Sequence, residues 1–371
     1  MSDKNYTNPA TIALHTGWRK DETTNSVTVP IHMTSSYQFD DADHAANLFA
    51  LGELGNIYTR IMNPTNAVFE ERIAALEGGV AALSVASGQS ASTIAVQNLA
   101  RTGDNIVASS HLYGGTYNLF KNVFSDMGIE VRFVDPSDPQ NFANATDEKT
   151  RAYYGEVLPN PSFEVFPISE VAEIGRPLGI PLILDNTAAP IICKPFEHGA
   201  AITVHSTTKY INGHSDVVGG AVIAKTKTLH EQLAWWANCT GITGSPFDSF
   251  ITTRGLRTLG VRMRQHVENA EQVVGYLNQH PLIERVFDPG LKDHPTHEIA
   301  AKQQNGFGAM FSFCLNLDKA CLKGFVNNLE YFSLAESLGG VESLICHPAT
   351  MTHAAMSPEA LKKAGVGPNL L

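Results

Sequence analysis

The chain has 371 residues, more than one hydrophobic core ordinarily fills, so a large domain with a smaller companion is expected. With 43% hydrophobic and 17% charged residues it does not read as a disordered tract, and a net charge of −11 leaves no basic surface to neutralise nucleic-acid phosphates. Five scattered cysteines with no C-x-x-C pair argue against a disulfide frame or structural zinc, while a polar start and the lack of a long apolar run argue against a secretory signal or a membrane span; the expected compartment is the cytoplasm.

Residues 1–60 mix polar and aromatic segments, VTVPIHMTSSYQF and the helix-like DDADHAANLFALGELG, and read as an arm rather than a core. From Asn66 to Glu77 the pattern NAVFEERIAALE has helical spacing and stops at Gly78-Gly79. ALSVAS is a short apolar run, and a helix follows from Gly88 to about Ala100. DNIVASS, GIEVRFVD, AYYGEVL, PLILDNT and AITVHSTT continue the scheme of short β-branched runs separated by helical stretches. Strands alternating with helices predict a mostly parallel sheet covered on both faces, with ligands at the C-terminal strand ends. One long helical segment is expected over about 248–279, a strand in FGAMFSFCLN, and a helix in SPEALKKAG capped by Ser357, with Pro358 at its first position and Gly365 at its end. A domain boundary is expected near 245–255.

The segment PLILDNTAAPIICKPFEHGAAITVHSTTKYINGH places Asp185 and Lys209 at the ends of neighbouring strands, with the Ser206 and Thr208 hydroxyls just before the lysine. An amine, a carboxylate that could face a protonated ring nitrogen, and donors for a phosphate are what pyridoxal 5'-phosphate demands. Ser87-Gly88-Gln89 opens a helix after a strand, where free N–H groups and the helix dipole favour an anion. Tyr113, after NIVASSHL, offers a ring that could stack on a pyridine. Each feature has an ordinary alternative: a surface lysine, a turn aspartate, a helix cap. His294, His297, His347 and His353 lack metal-ligand spacing, so no metal is expected, and Trp235 and Trp236 read as packing residues.

Together HSTTKYINGHSDVVGG, SGQSA, HLYGGTY, LDNT, YTRIMNPT and AESLGGVESL resemble the Cys/Met-metabolism family of fold-type I pyridoxal-phosphate enzymes, in the family's order and across essentially the whole chain. The resemblance implies an α/β fold: an N-terminal arm (1–60), a large domain (61–250) on a mostly parallel seven-stranded sheet, and a smaller α+β domain (251–371). It implies that Lys209 is the Schiff-base lysine and general base and that Asp185 pairs with the ring nitrogen. Ser87, Gly88, Gln89, Ser206 and Thr208 would bind phosphate, and Tyr113 would stack on the ring and assist the leaving group. Tyr58 and Arg60 would reach the phosphate of a neighbouring subunit in a homodimer or homotetramer. Asn160, in EVLPNP, would contact cofactor or substrate, and Glu336 and Ser337 would lie at the substrate carboxylate.

Up to about residue 210 the chain is similar to O-acetylhomoserine sulfhydrylases, and after 212 to cystathionine γ-synthases, as in a natural intermediate or a chimera. The implied activity is therefore γ-replacement on an O-acylhomoserine by sulfide or cysteine, with a γ- or β-lyase as the alternative. The family normally continues past Leu371 into an arginine that grips the substrate carboxylate. This sequence stops short of it, so the small domain is expected to be incomplete, and a chain that binds cofactor but turns over little is a further alternative.

Overall fold

The computed structural model describes residues 6–50, 52–53, 55–354, 361 and 365–371. Short α1 (Pro9–His15) and α2 (Ala42–Phe49) belong to the N-terminal segment. The chain then alternates: α3 (Pro64–Glu77), β1 (Ala81–Val85), α4 (Gly88–Leu99), β2 (Asn105–Ser109), α5 (Gly114–Asn118), β3 (Glu130–Val134), α6 (Gln140–Asn144), β4 (Thr150–Glu156), α7 (Ile168–Gly175), β5 (Leu182–Asp185), β6 (Ile202–Ser206), β7 (Gly220–Ala224) and α8 (Lys227–Thr240). After α9 (Pro246–Leu256) and α10 (Leu259–Leu277) come β8 (Ile283–Phe287), α11 (His297–Gln303), β9 (Ser312–Leu315), α12 (Lys319–Asn327), β10 (Ser333–Leu334) and β11 (Leu344–Ile345).

The first seven strands form one sheet in the order β1-β7-β6-β5-β4-β2-β3, parallel throughout except at β7, which runs antiparallel to both neighbours. The expected α/β architecture is thus present. Because successive strand residues face opposite sides, two apolar layers result. Leu182, Leu184 and Tyr153 pack with Phe69 and Ile73 of α3 and Val171 of α7. Ile183, Val204 and Tyr154 pack on the other side with Ile94 and Val96 of α4 and Leu233 of α8. A third cluster joins Val274 of α10 to Val286, Phe313, Leu315, Leu322 and Leu371. Leu371 exchanges backbone bonds of 3.0 and 2.9 Å with Phe313, beside the antiparallel pair β8–β9.

Helix α3 ends as its sequence predicts, at Gly78 in the left-handed conformation (φ +81°). The long helix expected over 248–279 is instead two. The Thr258 N–H bonds back to the Gly255 carbonyl in a tight turn, and the Arg262 guanidinium takes the same carbonyl at 2.8 Å together with those of Tyr210 (2.7 Å) and Ile211 (3.3 Å). A cation reaching across to the loop after β6 therefore fixes the break, not a helix-breaking residue. The cap of the helix predicted in SPEALKKAG, Ser357 with Pro358, lies outside the described residues. Trp236 packs beneath Arg101 (4.7 Å to the ring centroid), whereas Trp235 stands edge-on to it and is 59% exposed, so only the first fits the packing role expected of both.

Candidate active site

The C-terminal ends of β4, β5 and β6 bring three side chains to the α4 face of the sheet. Glu156 stands opposite Asp185 in register, Asp185 opposite Val204, and Ser206 follows two residues later on the same side. The Asp185 carboxylate accepts the Thr187 N–H at 2.8 Å, and the Thr187 hydroxyl accepts the Ser206 N–H at 2.8 Å. Burial raises the Asp185 pKa, while Thr187 and the nearby His205 oppose the rise. His205 is wholly buried and lies 3.1 Å from Glu77, whose carboxylate also receives the Asn186 amide.

Ser87 caps α4, its hydroxyl accepting the Ser90 N–H at 3.1 Å. Among the described residues the Gly88 and Gln89 N–H groups have no acceptor, as the first turn of a helix requires. Gly88 is glycine because helix and strand meet there: a Cβ would lie 2.7 Å from Cβ and 2.9 Å from Cα of Ser206. The Thr208 hydroxyl exchanges bonds with the Gly219 backbone at 3.1 and 3.3 Å. The Ser206 hydroxyl has no partner among the described residues. Gln89 approaches Thr116 at 3.5 Å, and its buried Oε1 is unpartnered.

Lys209 follows β6, its half-buried amine donating to the Ser337 hydroxyl at 3.2 Å. Burial lowers its pKa, and the Glu336 carboxylate pulls in the opposite direction. The 337–340 loop lies directly on the lysine loop, since a Cβ on Gly339 would come within 2.5 Å of the Tyr210 nitrogen. Tyr113 opens α5, and burial with the nearby Glu336 and Glu156 raises its phenol pKa. Its backbone N–H donates to Glu156 Oε1 at 2.7 Å.

Thus Lys209, Asp185, Tyr113, Ser87, Gly88, Gln89, Ser206, Thr208, Glu336 and Ser337 gather around the strand ends. Asn160 lies beyond β4, joined to Pro161 by a cis peptide bond, and its side chain has no hydrogen bond among the described residues. Tyr58 and Arg60 belong to a different place on this subunit. The Arg60 guanidinium lies 5.6 Å over the Tyr58 ring and donates to the Asn238 carbonyl at 2.7 Å. Neither touches Lys209 or Asp185 through a hydrogen bond. Sequence reasoning missed Glu156 as a buried acid, Thr187 as the link between two strand ends, and the His205–Glu77 pair beneath the sheet. The LDNT spacing carried a signal for Thr187, an acceptor two residues before an N–H.

The residues fit pyridoxal phosphate: a half-buried amine with no ion-pair partner among the described residues, a carboxylate on the neighbouring strand, and two N–H groups at a helix N-terminus and a serine hydroxyl that are likewise unpartnered there. The model of the Cys/Met metabolism PLP-dependent enzyme family matches residues 10–371. The chain belongs to this family. It is 42% identical to the O-acetyl-L-homoserine sulfhydrylase of Leptospira meyeri over 98% of this chain and 92% of that protein. It is 43% identical to the cystathionine gamma-synthase of Escherichia coli (strain K12) over the same shares, 98% and 92%. A Campylobacter jejuni structure with N'-pyridoxyl-lysine-5'-monophosphate superposes with a TM-score of 0.94 at 34% identity, covering 98% of this chain and 94% of that one. The chain is therefore a pyridoxal-phosphate-dependent enzyme of sulfur amino-acid metabolism. Among the described residues no group of acidic, histidine or cysteine side chains is arranged to hold a metal, and no helix is long and apolar enough to cross a membrane. All five cysteines are free.

Proposed function

We propose that the chain catalyses γ-replacement on an O-acylated homoserine, with sulfide giving homocysteine or cysteine giving cystathionine. The reading is carried by Lys209 and Asp185 at the ends of adjacent parallel strands, beside the free N–H groups of α4. The sulfhydrylase and γ-synthase relatives support the substrate class.

Bound pyridoxal phosphate supplies an electron sink. Lys209 would hold it, and the Lys209 Nζ would take up and return the substrate Cα proton; a lysine with a burial-lowered pKa suits that exchange. Asp185 would pair with the ring nitrogen and keep it protonated. The Gly88 and Gln89 N–H groups with the Ser87 and Ser206 hydroxyls receive the phosphate, and Thr208 steadies the same cradle through Gly219. Tyr113 would stack on the ring and assist departure of the acyl group. Ser337, Glu336 and Asn160 face the substrate, with Ser337 receiving its carboxylate. Tyr58 and Arg60 complete the phosphate site of a neighbouring copy, so the working unit is at least a dimer, and the chain works in the cytoplasm.

The test is product analysis of purified enzyme given O-acetylhomoserine with sulfide, with cysteine, or with neither. Homocysteine or cystathionine supports the reading and says which nucleophile is used. Keto acid and ammonia formed equally in all three would replace it with a lyase.

A further inference from the structure

The mechanism above leaves one buried acid unused. Glu156 ends β4 opposite Asp185 at the end of β5, and residues paired in parallel strands direct their side chains to the same face. Two carboxyl groups therefore leave the sheet side by side. Glu156 is only 8% exposed. Its one hydrogen bond among the described residues is the Tyr113 N–H at 2.7 Å, and no lysine, arginine or histidine lies within ion-pair distance of it there. The titratable groups facing it are Asp185 from β5, Tyr113 from the loop before α5, and Tyr154 of its own strand, whose phenol meets Ser92 of α4 at 2.9 Å. None of them is a cation.

Two adjacent anions in such surroundings are costly, so one member of the pair keeps its proton. Asp185 has the stronger claim to the charge, because it receives the Thr187 N–H at 2.8 Å and has His205 nearby, whereas Glu156 has one backbone donor alone. Burial first, and then Asp185, raise the Glu156 pKa well above the carboxylate range, in agreement with that geometry. The neutral acid still accepts through Oε1. Tyr113 is held tightly from its other side as well, since a Cβ on Gly115 would lie 2.5 Å from the Tyr113 ring and 2.8 Å from the Gln89 amide.

We propose that Glu156 is a positioning residue: the proton-bearing half of a carboxyl pair with Asp185, which leaves the negative charge on Asp185 and pins the backbone from which Tyr113 extends. An ionised Glu156 would instead favour protonation of Asp185 and remove the counter-charge for a protonated pyridine. The inference rests on the proposed role of Asp185 opposite the ring nitrogen.

The test compares wild-type holoenzyme with Glu156→Gln, Glu156→Ala and Asp185→Asn. Infrared difference spectra between wild type and Glu156→Gln at neutral pH should show a protonated-carboxyl C=O stretch that only the wild type has. The amide of Glu156→Gln mimics the neutral acid, so its dissociation constant for pyridoxal phosphate should stay within about threefold of wild type. Glu156→Ala leaves the Tyr113 N–H without an acceptor and should weaken cofactor binding by about ten- to a hundredfold. A Glu156→Gln enzyme that keeps the band, or that binds cofactor as weakly as Glu156→Ala, overturns the proposal; should Glu156→Ala fail to fold, the band alone decides. Asp185→Asn separates the two levels. Unaltered cofactor affinity and visible spectrum in that variant would remove the role of Asp185 itself, whatever the infrared result.

Discussion

At Lys209 two opposed influences meet on one amine. Burial lowers its pKa and the Glu336 carboxylate holds it up. Only the neutral amine attacks an aldehyde, so Glu336→Gln should move the pH midpoint for capture of pyridoxal phosphate by cofactor-free protein downward. Stopped-flow absorbance at several pH values checks this, and an upward or absent shift would show that Glu336 does not act on the lysine. At Gly88 the constraint is steric. An alanine there must push α4 away from the Ser206 backbone, which cannot yield as a flexible side-chain end would. Gly88→Ala should destabilise the protein by about 1–3 kcal/mol and weaken cofactor binding, measured by thermal unfolding and by titration. Loss of stability without loss of affinity would mean that the N-terminus of α4 is not the phosphate cradle.

Between elements, Glu70 on α3 accepts the Ser84 N–H of β1 at 2.8 Å, and burial pushes its pKa up to about 7. A carboxyl raised in the folded state favours folding where it is protonated, fully below its unfolded pKa, and that contribution is lost as pH rises toward about 7. Asp288, pushed up to about 6, titrates in the same window, so the informative quantity is a difference. Glu70→Gln should flatten the fall in melting temperature between acid and neutral pH relative to wild type; parallel curves would contradict it. Strands β1 to β6 were legible because each is a short apolar run ending in polar residues, and the Asp185–Lys209 adjacency followed from their order; β7, β8, β10 and β11 were not picked out. The reversal of β7 was not legible, since a fully buried strand reads alike in both directions. Nor was the break between α9 and α10, because both halves keep helical spacing and its cause, Arg262 on the Tyr210 and Ile211 carbonyls, acts across some fifty residues of chain. Glu156 stood in the EVLPNP stretch, but its chemistry depends on which strand pairs with β4.

On the scale of the whole molecule, large apolar side chains remain uncovered on the N-terminal segment and near β10: Val27 (74% exposed), Met33 (70%), Phe49 (66%) and Tyr331 (87%). Exposed apolar surface of this kind fits contact with further copies of the chain. If Tyr58 and Arg60 serve a partner's site, mixing inactive Lys209→Ala and Arg60→Ala subunits should restore about a quarter of wild-type activity, since random pairing puts one intact site in half of the dimers. Mixtures no more active than their parents would confine each site to one subunit. The central claim, that Lys209 and Asp185 hold one pyridine ring between them, is tested most directly by absorbance titration of cofactor-free wild type, Lys209→Ala and Asp185→Asn with pyridoxal phosphate. Wild type should show a visible band, Lys209→Ala none beyond that of free cofactor, and Asp185→Asn weaker binding with a displaced band; the same band in all three proteins would contradict a ring held between the two side chains.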